Sequence, residues 1–115
     1  MDEIPRWSAG NVVMLGDACH PVSPFGFSGA SMSIEDAVTL ATLLPAGTAA
    51  EEIRGRLKMY EDIRRPRVGR VRDTARLIAG GKDDDKVFTG EYMGFLAGYD
   101  AVGETRRAME ERMGS

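Results

Sequence analysis

Residues Gly10 to Asp36 read GNVVMLGDACHPVSPFGFSGASMSIED, and no other stretch restricts the chain as much. Val12-Val13-Met14-Leu15 is β-branched and aliphatic, and Gly10 and Gly16 bracket it. That run predicts a short strand near 11–15, of the type buried on both faces in a parallel sheet. Asp17 to Gly29 contains Pro21, Pro24, Gly26 and Gly29, which predicts an irregular loop. A helix is expected to open near Ser28 to Ser31. A strand that feeds a loop and then a helix start presents backbone NH groups and an acidic side chain to a ligand. A strand also needs neighbours for its backbone groups. No second strand is evident, so an unpaired edge that recruits another chain is expected.

The remainder predicts helices. Ile34, Ala37, Val38 and Ala41 fall at helical spacing and form the expected apolar face of the first helix, which stops before Pro45-Ala46-Gly47. Thr48-Ala49-Ala50-Glu51 is a capping-box pattern that opens a second helix with Ile53, Leu57 and Tyr60 inward. Pro66 removes a backbone donor and predicts a kink or break near Arg64. Val68, Val71, Ala75 and Ile78 continue as a third helical face up to Gly80-Gly81. Val87 to Tyr99 is expected to be helical, and Thr105 to Met113 to be a polar, fraying helix. Ahead of the strand, Asp2 to Ser8 is an extended lead-in whose Trp7 packs on the body.

At 115 residues and 43% hydrophobic content, the chain suits one small domain. Its net charge of -3 argues against nucleic acid or an acidic membrane as partner. One Cys cannot form an internal disulfide, which fits a reducing compartment. No apolar run approaches the ~20 residues of a membrane span. The start MDEIPRW lacks the basic and apolar segments of a secretory signal. A cytoplasmic location is the expectation.

Gly16-Asp17 has two readings. Gly16 at a strand end lets a ligand approach the backbone, and Asp17 then accepts hydrogen bonds from sugar-like hydroxyls. Alternatively Asp17 caps a local turn. The loop after it is long, stiff and apolar at Phe25 and Phe27, more than a plain connection requires. It leads to a helix N-terminus whose unpaired NH groups attract an electron-rich ring edge or an anion. Cys19-His20 supports neither a zinc site, for which ligand spacing is lacking, nor a nucleophile and base, since adjacent residues rarely face each other. Gly26-Phe27-Ser28-Gly29 misses the nucleophile-elbow pattern by one position. Arg64, Arg65, Arg67, Arg70, Arg72 and Arg76 interleave with Glu61, Asp62 and Asp73, and no aromatic platform of the kind that stacks nucleic-acid bases accompanies the run. They are expected to form a solvated face, or one that meets acidic groups of another domain.

GNVVMLGDACHPVSP, followed by Gly26, Gly29, Ala30 and Ile34-Glu35-Asp36-Ala37, resembles the second FAD-binding signature of the flavin-dependent aromatic hydroxylases, the family of para-hydroxybenzoate and salicylate hydroxylases. The W-x-x-G spacing of Trp7 and Gly10 resembles it too. The likeness extends more weakly through Tyr60-Glu61-Asp62-Ile63-Arg64-Arg65-Pro66-Arg67. The resemblance implies an α/β parent fold with a Rossmann-like FAD-binding domain; this chain alone is expected to be mainly α. It implies that Gly16 and Asp17 approach FAD, with Asp17 on the ribityl chain. Pro24 would line the flavin and substrate pocket, and Gly26 and Gly29 would let the loop pass close to the ring. The NH groups around Gly29, Ala30 and Ser31 would face the N1 and C2-carbonyl edge. The family has Gly in many members where this chain has Phe27, and Asn in some where it has Ser31.

The family also carries a G-x-G-x-x-G turn for the ADP half of FAD and a middle sheet domain over the aromatic substrate. Neither is present in these residues. The expectation is therefore the C-terminal quarter or third of such an enzyme, with 1–80 as the end of an FAD-binding domain and 81–115 as a helical tail. The parent activity would be hydroxylation of an aromatic or related ring with NAD(P)H and O2, NADH and NADPH being undistinguished. No acid, base, nucleophile or metal ligand is assigned, and the segment is expected to be inactive alone. The alternative is a non-catalytic remnant that acts as a small helical interaction module.

Overall fold

A computed structural model describes residues 5–16, 29–80, 94 and 97–113. The described elements are strands β1 (Ser8–Ala9) and β2 (Val12–Val13) and helices α1 (Gly29–Leu43), α2 (Ala50–Gly80) and α3 (Ala101–Met113). The mainly helical character is as expected for this chain. Among the described residues no helix is long and apolar enough to cross a membrane.

The expected strand is present, and it has a partner. β2 pairs antiparallel with β1, Ser8 opposite Val13 and Ala9 opposite Val12. Gly10-Asn11 forms the two-residue turn between them, with Gly10 at φ 60°. Positive φ at the first turn position matches the twist of a tight hairpin and suits glycine. The Met14 NH donates to the Trp7 carbonyl at 2.8 Å and adds a further rung. The expectation of burial on both faces is corrected: Val12 is 69% exposed and Leu15 40% exposed, while Val13 and Met14 pack on the core. A two-stranded ribbon has only one covered face, so part of the run must stay exposed.

α1 starts and stops where expected but presents the opposite face. Its buried residues are Met32, Glu35, Asp36, Thr39 and Leu43. Ile34 is 64% exposed, Ala37 and Ala41 are exposed, and Val38 is half-buried. The expected stripe and the observed one are offset by two residues, about 200° around a helix. The carboxylates of Glu35 and Asp36 turn inward because two arginines of α2 meet them there.

α2 is continuous through Pro66, so the expected break near Arg64 does not occur. Pro66 and Asp62, whose carbonyl loses its helical donor, both lie on the exposed side. Buried Leu57, Tyr60 and Arg64 before the proline, and Arg67, Val68 and Val71 after it, form one stripe that anchors both halves. Trp7, Met32, Leu43, Met59, Tyr60, Val68 and Val71 make the core cluster. Arg56 of α2 donates to the Leu43 carbonyl at 2.7 Å and caps the end of α1.

α3 packs mainly on α1 and also touches α2. The Gly103 NH donates to Asp100 Oδ1 at 3.0 Å, so Asp100 is its N-cap. Thr105 is fully buried and its hydroxyl donates to the Ala101 carbonyl. Arg112 pairs with Asp62 at 2.8 Å near the other end.

Pro66→Ala restores a backbone donor inside α2 and is expected to stabilise the protein by roughly 1–3 kcal/mol. Urea unfolding measures this, and an unchanged midpoint would show that the proline costs the helix nothing.

Candidate flavin-facing site

The chain leaving β2 reaches Gly16, which is buried and has φ 66°. A side chain there would strain the backbone. A Cβ would also stand 2.8 Å from Ser33 Oγ. The strand end is therefore pressed against the first turns of α1. The Gly16 NH donates to Asp36 Oδ2 at 3.0 Å. Asp36 is fully buried, and its other oxygen, Oδ1, accepts from Arg64 Nε at 2.6 Å.

Arg64 is itself fully buried. Its Nη1 donates to Glu35 Oε1 at 3.0 Å and its Nη2 to the Met32 carbonyl at 3.3 Å. Arg67 adds two bonds to Glu35, each at 3.1 Å. Tyr99 covers both guanidinium groups, with Arg64 at 5.6 Å and Arg67 at 4.4 Å from its ring centroid. Burial works against the Arg64 charge, but the hydrogen bond it donates to Asp36 and the charges of Asp36 and Glu35 outweigh it and hold the guanidinium pKa above its ordinary value. Two arginines and two carboxylates thus balance in the interior, as buried charges must.

The turn of α2 before Arg64 fastens the approach to Gly16. The Tyr60 hydroxyl donates to the Met14 carbonyl at 3.0 Å. Glu61 Oε1 accepts from the Trp7 NH at 2.8 Å and the Ser8 NH at 3.2 Å. Glu61 Oε2 accepts from Arg65 Nε at 2.9 Å, and Arg65 lies 5.0 Å from the Trp7 ring centroid. Trp7 is buried, as expected, with its ring 6.1 Å from that of Tyr60. Burial pushes the Glu61 carboxyl up, yet the Trp7 NH, Arg65 and the Ser8 NH together hold it below its ordinary value.

Gly29, Ala30 and Ser31 form the first turn of α1, which contains no acidic residue. Their NH groups lack partners within the helix, Ala30 is exposed and Ser31 half-buried. The structure thus places Gly16 against Ser33 and Asp36 of the helix that Gly29, Ala30 and Ser31 begin. Asp17, Pro24 and Gly26 lie outside the described residues, as do Cys19 and His20. Among the described residues no cluster of His, Cys, Asp and Glu is placed to hold a metal ion.

The basic run departs from its expected role. Arg64 and Arg67 form no solvated face; they are buried and meet acidic groups of this same chain. Glu35, Asp36, Tyr60, Glu61, Arg64 and Arg67 form a buried supporting network behind Gly16 and the hairpin, which the motif reading does not assign. Their signal was positional: Arg64 and Arg67 share the stripe of Leu57, Tyr60, Val68 and Val71.

Residues 3–75 match the family described as FAD binding domain. The chain is 36% identical over 103 residues to the 6-hydroxynicotinate 3-monooxygenase of Bordetella bronchiseptica, covering 90% of this chain and 25% of that protein. It is 42% identical over 92 residues to the phenazine 1,6-dicarboxylic acid hydroxylase of Lysobacter antibioticus, covering 74% of this chain and 22% of that one. It is 45% identical over 64 residues to the hispidin-3-hydroxylase of Neonothopanus nambi, covering 56% and 15%. The chain spans about a quarter or less of these curated relatives.

Gly16→Ala is expected to destabilise the protein by about 1–3 kcal/mol, from positive-φ strain together with the Ser33 contact. Adding Ser33→Ala should recover only the contact part; complete recovery in thermal unfolding would mean the backbone is unstrained. Glu61→Gln probes the carboxylate. A carboxylate with a depressed folded pKa contributes stability that is fully present above its ordinary value of 4.5 and is lost as pH falls through the lower folded value. The stability difference between wild type and Glu61→Gln should therefore be largest near neutrality and close in acid. Urea unfolding across pH measures it, and a pH-independent difference would contradict the role of the charge.

Proposed function

Because the chain belongs to the FAD-binding domain family, we propose that it forms the flavin-facing segment of a monooxygenase that hydroxylates an aromatic or related ring with NAD(P)H and O2. The observation that carries this reading is Gly16, left-handed at φ 66°, bonded to Asp36 and packed against Ser33 of α1, a helix whose first turn holds no acidic residue. The missing Cβ lets the backbone at Gly16 pack closely on that helix.

In this reading Asp17 accepts hydrogen bonds from ribityl hydroxyls. The NH groups of Gly29, Ala30 and Ser31 stabilise the electron-rich edge of the ring through the helix N-terminus. Pro24 and Gly26 line the approach of ring and substrate. FAD, when bound, supplies the oxygen chemistry. These residues bind and orient, and none is assigned a proton transfer. Residues 1–80 are then the end of the FAD-binding domain, and 81–115 its helical tail. Relatives include a 6-hydroxynicotinate monooxygenase, a phenazine 1,6-dicarboxylic acid hydroxylase and a 3-amino-4-hydroxybenzoate monooxygenase, which supports the substrate class.

The exposure of Val12, Leu15 and Ile34 supports a second reading, a non-catalytic module that associates through these apolar side chains. Sedimentation across a range of chain concentrations, with and without FAD, separates the two.

The flavin reading predicts saturable, micromolar quenching of FAD fluorescence by the 115-residue chain. Riboflavin should bind nearly as well, since the assigned contacts address the ribityl chain and ring. Asp17→Ala should weaken FAD binding about tenfold, the scale of a charge-assisted hydrogen bond. FAD fluorescence that stays constant at high protein concentration would overturn the flavin reading.

A further inference from the structure

We propose that Asp36, fixed in place by Arg64, is a positioning residue for the backbone of Gly16. This rests on the flavin reading of Gly16. Asp36 divides its carboxylate between two jobs. Oδ2 accepts from the Gly16 NH at 3.0 Å and Oδ1 from Arg64 Nε at 2.6 Å. Both side chains are fully buried, so neither oxygen exchanges its partner for bulk water at low cost. Gly16 has little slack, being held at φ 66° with Ser33 Oγ against the place of a Cβ.

A charged acceptor holds an NH more firmly than a neutral one. A buried carboxylate is tolerable only beside a cation, and Arg64 supplies it. Glu35, one residue earlier, takes its bonds from Arg64 and Arg67. It belongs to the same charge network and so provides the control. If the network only packed α1 on α2, losing either carboxylate would have the same consequence.

The test uses the 15N-labelled 115-residue chain, with amide exchange at Gly16 and FAD titration by fluorescence as two readouts. Asp36→Asn should quicken Gly16 exchange and raise the FAD Kd, each about tenfold. Glu35→Gln should lower thermal stability while leaving both readouts within about twofold of wild type. Arg64→Lys keeps the charge but loses the guanidinium fork, and should move both readouts in the same direction as Asp36→Asn. It decides the matter if Asp36→Asn fails to fold.

Unchanged Gly16 exchange in Asp36→Asn overturns the inference, as does an equal loss of FAD affinity in Glu35→Gln. FAD binding by Asp36→Asn equal to wild type, while Asp17→Ala binds weakly, overturns the inference and leaves the flavin reading intact. A wild-type chain that does not bind FAD overturns the flavin reading and the positioning role together.

Discussion

Arg64 and Asp36 meet at 2.6 Å with no exposed surface on either side chain. Removing two charges from water costs several kcal/mol per ion, and only good geometry with every remaining group satisfied offsets it. That requirement propagates outward. Arg64 spends its other donors on Glu35 and Met32, and Glu35 in turn engages Arg67. Two carboxylates on adjacent residues of α1 and two guanidinium groups one turn apart on α2 can pair in only one rotational setting of the helices. α1 consequently turns its acidic side inward and leaves Ile34 outside.

The same turn of α2 governs the hairpin. Tyr60 holds Met14, Glu61 holds Trp7 and Ser8, and Arg64 reaches Gly16 through Asp36. Three side chains spaced over about one helical turn thus fix the entry, the exit and the end of the β-ribbon. A two-stranded ribbon is marginal alone, and these anchors supply the support that further strands would provide. The link from packing to function is short: what orients α1 also holds Gly16 against Ser33 and Asp36 of the helix proposed to receive the flavin at its start.

Much of this was legible in residue order. Glycines around an aliphatic run marked the strand. The start and stop of α1 followed from its flanks, and Trp7 to Leu44 carried the family likeness. What escaped reading depended on partners distant in sequence. Ile34, Ala37, Val38 and Ala41 gave a plausible apolar face because hydrophobicity was counted and ion pairing was not. Glu35 and Asp36 could be placed inside only by knowing that Arg64 and Arg67 wait there, 28 to 32 positions later. Pro66 was read as a break because its local cost was counted without the buried stripe on either side. The first strand was legible in principle: Gly10-Asn11 between Ala9 and Val12 is a hairpin turn, but Ser8-Ala9 is too short to announce itself.

A double-mutant cycle on Arg64 and Asp36, with unfolding free energies for Arg64→Ala, Asp36→Ala and the double variant, weighs the interaction on which the packing depends. The expected coupling is about 2–3 kcal/mol, the upper range for residues in one network, with each single variant far less stable than the pair's removal would suggest by addition. A coupling near zero, with the two losses simply adding, would show that the ion pair neither orients α1 nor holds the Gly16 step.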